Sequence, residues 1–163
     1  MKPPAQIQQL LAILDQAYNR PSWHGTNLRG SIRRVTAEQA AWRPDPRRHN
    51  IWETVVHAAY WKYAVARRFT GGLRGSFPLK GSNWFRRPVS RAEATDKAWR
   101  ADIALLEQMH ESLREVVMRL SPKDLASTPA GKKLSNFALL SGVAAHDLYH
   151  AGQIQLLKRL NPS

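Results

Sequence analysis

Apolar residues return every three or four positions along most of this chain, and nowhere do they alternate long enough to predict a strand. In the first such segment Ile7, Leu10, Leu11, Leu14 and Tyr18 share one face, which predicts a helix over residues 4–19. "PSWHGTNLRGSI" then breaks the pattern, and "TAEQ" at Thr36 to Gln39 reads as a capping box for a short turn of helix. Asn50 is placed to cap a second long helix over residues 51–70, which Gly71 and Gly72 end. "SRAE", from Ser90 to Glu93, reads as the start of a third over residues 91–120, stopped by Ser121-Pro122. Ser135 opens a fourth, over residues 136–160, before Asn161-Pro162.

Four long amphipathic helices in 163 residues predict an all-α four-helix bundle, with residues 1–163 forming a single domain. The connections are short apart from residues 71–90, rich in glycine and cations. A connection of that length in a bundle is a crossover between helices 2 and 3, a lid, or both. The second helix is apolar on several faces (Ile51, Val55, Val56, Ala58, Ala59, Tyr63), more than one helix contact should bury, which predicts a homodimer.

Composition narrows the partners. No apolar run approaches the roughly 20 residues of a membrane span, and "MKPPAQIQQLLAILDQAYNR" lacks the apolar core and cleavage site of a signal peptide. A cytoplasmic location is the expectation. With no cysteine the chain has no disulfide and no thiolate ligand, so any reacting thiol must come from outside. The net charge of +13 is scattered over turn-rich stretches such as "RPDPRRHN" and forms no continuous basic helix face. Charge of that kind fits an anionic substrate or simply a soluble basic protein, and without a nucleic-acid motif nucleic acid is not the expected partner.

The chemistry concentrates in "GVAAHDLYHAGQ". Leu139, Val143, His146, His150, Gln153 and Leu157 recur at spacings of three and four, which puts both histidines on the stripe expected to face the bundle centre. Imidazoles at i and i+4 project together and suit one divalent ion, although two hydrogen-bonded core histidines would produce the same pattern. A third ligand has to come from upstream, because nothing after His150 can ligate. His24 lies at a helix break, His49 in a basic loop, His57 within "IWETVVHAAYWKYAV", and His110 on a stripe with Trp99, Leu106 and Leu113. Periodicity does not choose between His57 and His110.

"HNIWETVVHAAYWKYAVARRFTG", followed far downstream by "GVAAHDLYHAGQIQLLKR", resembles the DinB-like family of metal-binding four-helix bundles. The likeness extends through "PSWHGTNL" and "AWRADIALLEQMHESL" and so covers most of the chain. It implies that His57, His146 and His150 bind a divalent ion, zinc or nickel, and that His110 is a core or surface residue. The family includes thiol-dependent S-transferases and a mycothiol-dependent isomerase. The resemblance therefore implies an enzyme that activates a low-molecular-weight thiol, or water, for transfer to a small electrophile. Three neutral imidazoles would leave a coordination position open, and metal affinity should fall as protons compete near pH 6.5.

Around those ligands, Glu53 and Gln153 lie one turn away and are expected to orient imidazoles. Trp23, His24 and Trp84 lie in breaks and are expected to wall a pocket beneath residues 71–90, with arginines there holding carboxylates of the cosubstrate. Two other readings use the same residues. "HDLYH" has the spacing of a zincin-like hydrolase, with Asp147 in place of the general-base glutamate. A non-catalytic metal-binding or basic nucleic-acid-binding bundle would need no reacting group at all.

Overall fold

The computed structural model describes residues 2–72 and 75–162, and among these every regular element is helical. In chain order they are α1 (Ala5–Tyr18), α2 (Leu28–Ser31), α3 (Ala37–Ala41), α4 (Ile51–Thr70), α5 (Asp96–Met118), α6 (Pro122–Ala126) and α7 (Asn136–Leu160). The four long helices close a ring of contacts: α1 lies against α5 and α7, and α4 lies against the same two. No helix of the described residues is long and apolar enough to cross a membrane.

Start signals place most helix ends. Thr36 and Asn50 each complete a capping box, with Gln39 and Glu53 reaching back to the cap backbone. Gly71, at φ 65, ends α4 in the left-handed region that favours glycine. The third long helix departs from expectation. Arg91–Glu93 make one isolated 3-10 turn, and α5 begins at Asp96, where the Thr95 hydroxyl accepts from Ala98 N. The helix dipole favours this start, because it puts the Asp96 carboxylate at the first position. At the other end Ser121-Pro122 stops one helix and starts another. Ser121 and Asp124 form a capping box and Pro122 sits in the first turn, where its missing N–H costs nothing.

Two apolar clusters fill the interior. One joins Leu10, Leu14, Leu113, Val117 and Leu140, and the other joins Trp52, Val56, Trp99, Leu106 and Ile154. Ile51, Val55, Val56, Ala58 and Ala59 are all buried within the chain and Tyr63 is half-buried. Helices α3, α5 and α7 and the aromatic rings of the segment after α4 share that surface. The surplus apolar area that pointed to a dimer is therefore consumed internally.

The segment after α4 is anchored in its described part. Phe77 and Phe85 are buried, and Arg87 Nε donates to Asp102 Oδ2 at 2.7 Å. Asn50 Nδ2 donates to the Arg87 carbonyl at 2.8 Å, which ties the segment to the first turn of α4. These fixings hold Asn83 and Trp84 over the middle of α4.

Helix α7 is rotated slightly from the predicted stripe. Its buried positions are Leu140, Val143, Ala144, Asp147, His150, Ala151 and Ile154, with His146 half-buried at the border. The deepest polar residue is Asp147, which ion-pairs with Lys62 of α4, both side chains 0 % exposed.

Candidate metal centre

His57 comes from α4, while His146 and His150 come from successive turns of α7. The α4–α7 packing brings the three rings together. His146 Nε2 lies 3.1 Å from His57 Nε2 and 3.0 Å from His150 Nε2. One ligand-capable nitrogen from each of the three rings lies within 4.8 Å of the other two. His110 is elsewhere: fully buried on α5, it stacks on Tyr18 with ring centroids 3.8 Å apart.

Hydrogen bonds at the far nitrogens determine the tautomers. His57 Nδ1 donates to the Asn83 carbonyl at 2.8 Å, and His150 Nδ1 donates to Gln153 Oε1 at 2.7 Å. With the proton on Nδ1, each Nε2 presents a lone pair toward the others. Lone pairs facing one another repel unless a proton or cation stands between them. Tetrahedral zinc, at Zn–N distances of about 2.0–2.1 Å, would separate its nitrogens by roughly 3.3–3.4 Å. The observed 3.0 and 3.1 Å are a few tenths shorter, so both pairs that His146 makes fit a small divalent ion with little movement.

Electrostatics agree. Burial holds His57 down to about 4, with the charge of His150 adding to the effect and the Asn83 bond opposing it. Burial, then the neighbouring His150 and His57, hold His146 down to about 3. Burial also lowers His150. His57 and His146 therefore remain neutral, the form that ligates, well below the pH 6.5 expected from sequence, and burial shifts His150 in the same direction.

The surrounding residues sort differently from expectation. Gln153 Oε1 holds the His150 ring, and the Gln153 amide donates to the Tyr149 hydroxyl at 3.1 Å. Glu53 does not touch His57. Its carboxylate caps the start of α4, accepts from Arg43 Nη2 at 2.8 Å and lies 3.0 Å from His49 Nδ1. The group that holds His57 is Asn83, whose side-chain oxygen also accepts from Trp61 Nε1 at 2.9 Å. Asn83 sits at φ 64, a left-handed conformation that asparagine tolerates better than most residues. No sequence pattern marks a residue that works through its backbone carbonyl.

Trp84 is a wall of the site, its ring sandwiched between His49 and His57. The centroids are 3.6 and 3.8 Å away and the planes within 3° and 9° of parallel. His49, from the basic loop before α4, is thereby packed against Trp84. Trp23 and His24 are exposed and are not among the residues that line the cavities beside the histidines. On the outer side of Trp84 lies an open cavity of about 610 Å³ lined by Arg43, Arg47, Arg48 and Arg86. Arg43 is neutralised by Glu53 and Arg47 by Asp45, whereas Arg48 and Arg86 have no ion-pair partner among the described residues.

Asp147 is unavailable as a zincin-type base. An aspartate between two inward histidines lies on a different azimuth of the helix, and here it turns into the core to meet Lys62.

Comparison with known proteins agrees with this architecture. No curated protein and no solved structure gives a match. The family model of the DinB superfamily matches residues 22–154, a span that includes α4, α5, about three quarters of α7 and all three clustered histidines. This chain belongs to the DinB superfamily.

Proposed function

We propose that the chain is a single four-helix-bundle domain of the DinB type over residues 1–163, with residues 71–90 as its crossover and a divalent ion held by His57, His146 and His150. The observation that carries the reading is the convergence of three Nε2 atoms, two of which (His57 and His150) have their lone pairs turned inward by a hydrogen bond at the opposite nitrogen. Zinc and nickel suit an all-imidazole donor set. The site is complete within one chain.

The function proposed is metal-dependent transfer of a low-molecular-weight thiol to a small electrophile. A bound divalent ion supplies Lewis-acid activation of that thiol, or of water. The chain's own residues do the rest. Asn83 and Gln153 hold the imidazoles in their ligating tautomers, and Trp84 shields one face of His57 from solvent. Arg48 and Arg86 would bind carboxylates of an anionic thiol beside that wall. A cytoplasmic setting, where thiols are kept reduced, provides such a cosubstrate.

The test is to load the protein with zinc or nickel and follow thiol consumption across a panel of thiols and electrophiles. Turnover that a chelator abolishes and added metal restores is expected. If the ion is present at stoichiometry and no pair turns over, the second reading, a non-catalytic metal-binding bundle, takes its place. The full donor set would support that reading equally well.

A further inference from the structure

A second depression reaches the histidine cluster at His146, along the seam between α4 and α7. Its near part, about 190 Å³, is lined by Trp61 and Val65 of α4 and by Leu139, Gly142 and Val143 of α7, with His146 as its one polar side chain. Leu134 and Leu139 also line a neighbouring cavity of about 480 Å³, so the two adjoin across these side chains. At the far end stand Arg68, Lys132 and Lys133, with no carboxylate in either lining. None of the three cations has an ion-pair partner among the described residues.

The floor of the groove depends on an absent side chain. Gly142 lies in the interior of the 25-residue α7, where glycine is a poor helix former. A Cβ built there meets nothing within 4 Å, so packing does not demand glycine. What the glycine leaves is open space one turn before His146. At the rim Leu134 is 58 % exposed, an apolar side chain facing the groove without cover.

We infer that this groove binds a small amphiphilic anion, its acid group at Arg68, Lys132 and Lys133 and its apolar body lying over Gly142 toward His146. Length supports the assignment. The groove follows α4 from Trp61 to Phe69, eight residues at about 1.5 Å each, so an apolar body of roughly 12 Å spans it. An extended medium-chain carboxylate has that length. The inference concerns where the ligand binds and stands independently of the metal-centre reading.

Calorimetric titration with decanoate, with decanol as the uncharged counterpart, tests it. Wild-type protein should bind both, decanoate at least tenfold more tightly. Lys132→Gln/Lys133→Gln should remove that preference and leave decanol unchanged. Gly142→Leu, which fills the floor, should weaken both at least tenfold, while Gly142→Ala, which adds only the Cβ, controls for helix effects. Circular dichroism should show each variant folded. The inference is overturned if decanoate does not bind at millimolar concentration, if the lysine pair is indifferent to the charge, or if Gly142→Leu binds like wild type. Metal content, measured on the same samples, separates the two proposals. Decanoate bound without stoichiometric metal sinks the metal centre alone, and metal bound without decanoate sinks the groove alone.

Discussion

Gln153 shows how much of this site one side chain can control. Its Oε1 accepts the Nδ1 proton of His150, which turns the Nε2 lone pair toward the other two rings. Gln153→Leu leaves that donor buried without a partner and frees the ring to reorient. Metal affinity should fall by about 10–100-fold, read by competition with a chromogenic chelator. Asn83 supplies the matching bond to His57 through its backbone, at φ 64. Asn83→Gly keeps both the carbonyl and the conformation, so affinity should stay within a few-fold. Asn83→Val puts a β-branched residue at positive φ and should weaken metal binding clearly more. Equal behaviour of the two Asn83 variants in the same titration would contradict the role given to the backbone. The two partners differ in legibility. Gln153 is readable because it lies one turn after a histidine on the same stripe. Asn83 is not, because every residue has a carbonyl. Glu53 was ambiguous by construction: it stands one turn before His57 and also at the third position after an asparagine cap, and the cap took it.

Among the elements, α4 and α7 matter most, since their mutual rotation determines whether the histidines meet. The Lys62–Asp147 ion pair crosses that contact in the core, next in sequence to His146. Removing one partner strands a buried charge. Lys62→Met should therefore destabilise the fold by about 3–5 kcal/mol, and Lys62→Met/Asp147→Leu should recover most of that loss, measured by urea denaturation. A single variant as stable as wild type would show that the pair is not buried as described. The hydrophobic pattern made the long helices legible, because helical period and caps are local properties. It hid this pair, because a lysine in a helical pattern ordinarily faces solvent and nothing local distinguishes one that does not. The start of α5 was misplaced for a related reason. "SRAE" and Thr95-Asp96 are both acceptable starts, and the first makes only a single 3-10 turn.

At the scale of the whole molecule, buried neutral histidines couple folding to pH. Burial holds His110 down to about 2, His146 to about 3 and His57 to about 4, whereas in the unfolded chain each protonates near 6.5. Below pH 6.5 the unfolded chain binds more protons than the folded one. Stability is therefore fully present above 6.5 and is lost as pH falls from there toward the folded values. The slope is about 1.4 kcal/mol per pH unit for each such histidine. His110→Phe, far from the trio, should make the urea midpoint less sensitive between pH 7 and pH 5, and an unchanged slope would count against a neutral buried His110. The central claim, that His57, His146 and His150 form one metal site and His110 stands apart, is tested most directly by metal analysis of tag-free protein. Wild type and His110→Ala should each carry about one divalent ion per chain, while His57→Ala, His146→Ala and His150→Ala should carry far less. Retention of the ion in His57→Ala with its loss in His110→Ala, or a wild-type protein without stoichiometric metal after incubation with zinc and with nickel, would contradict the account.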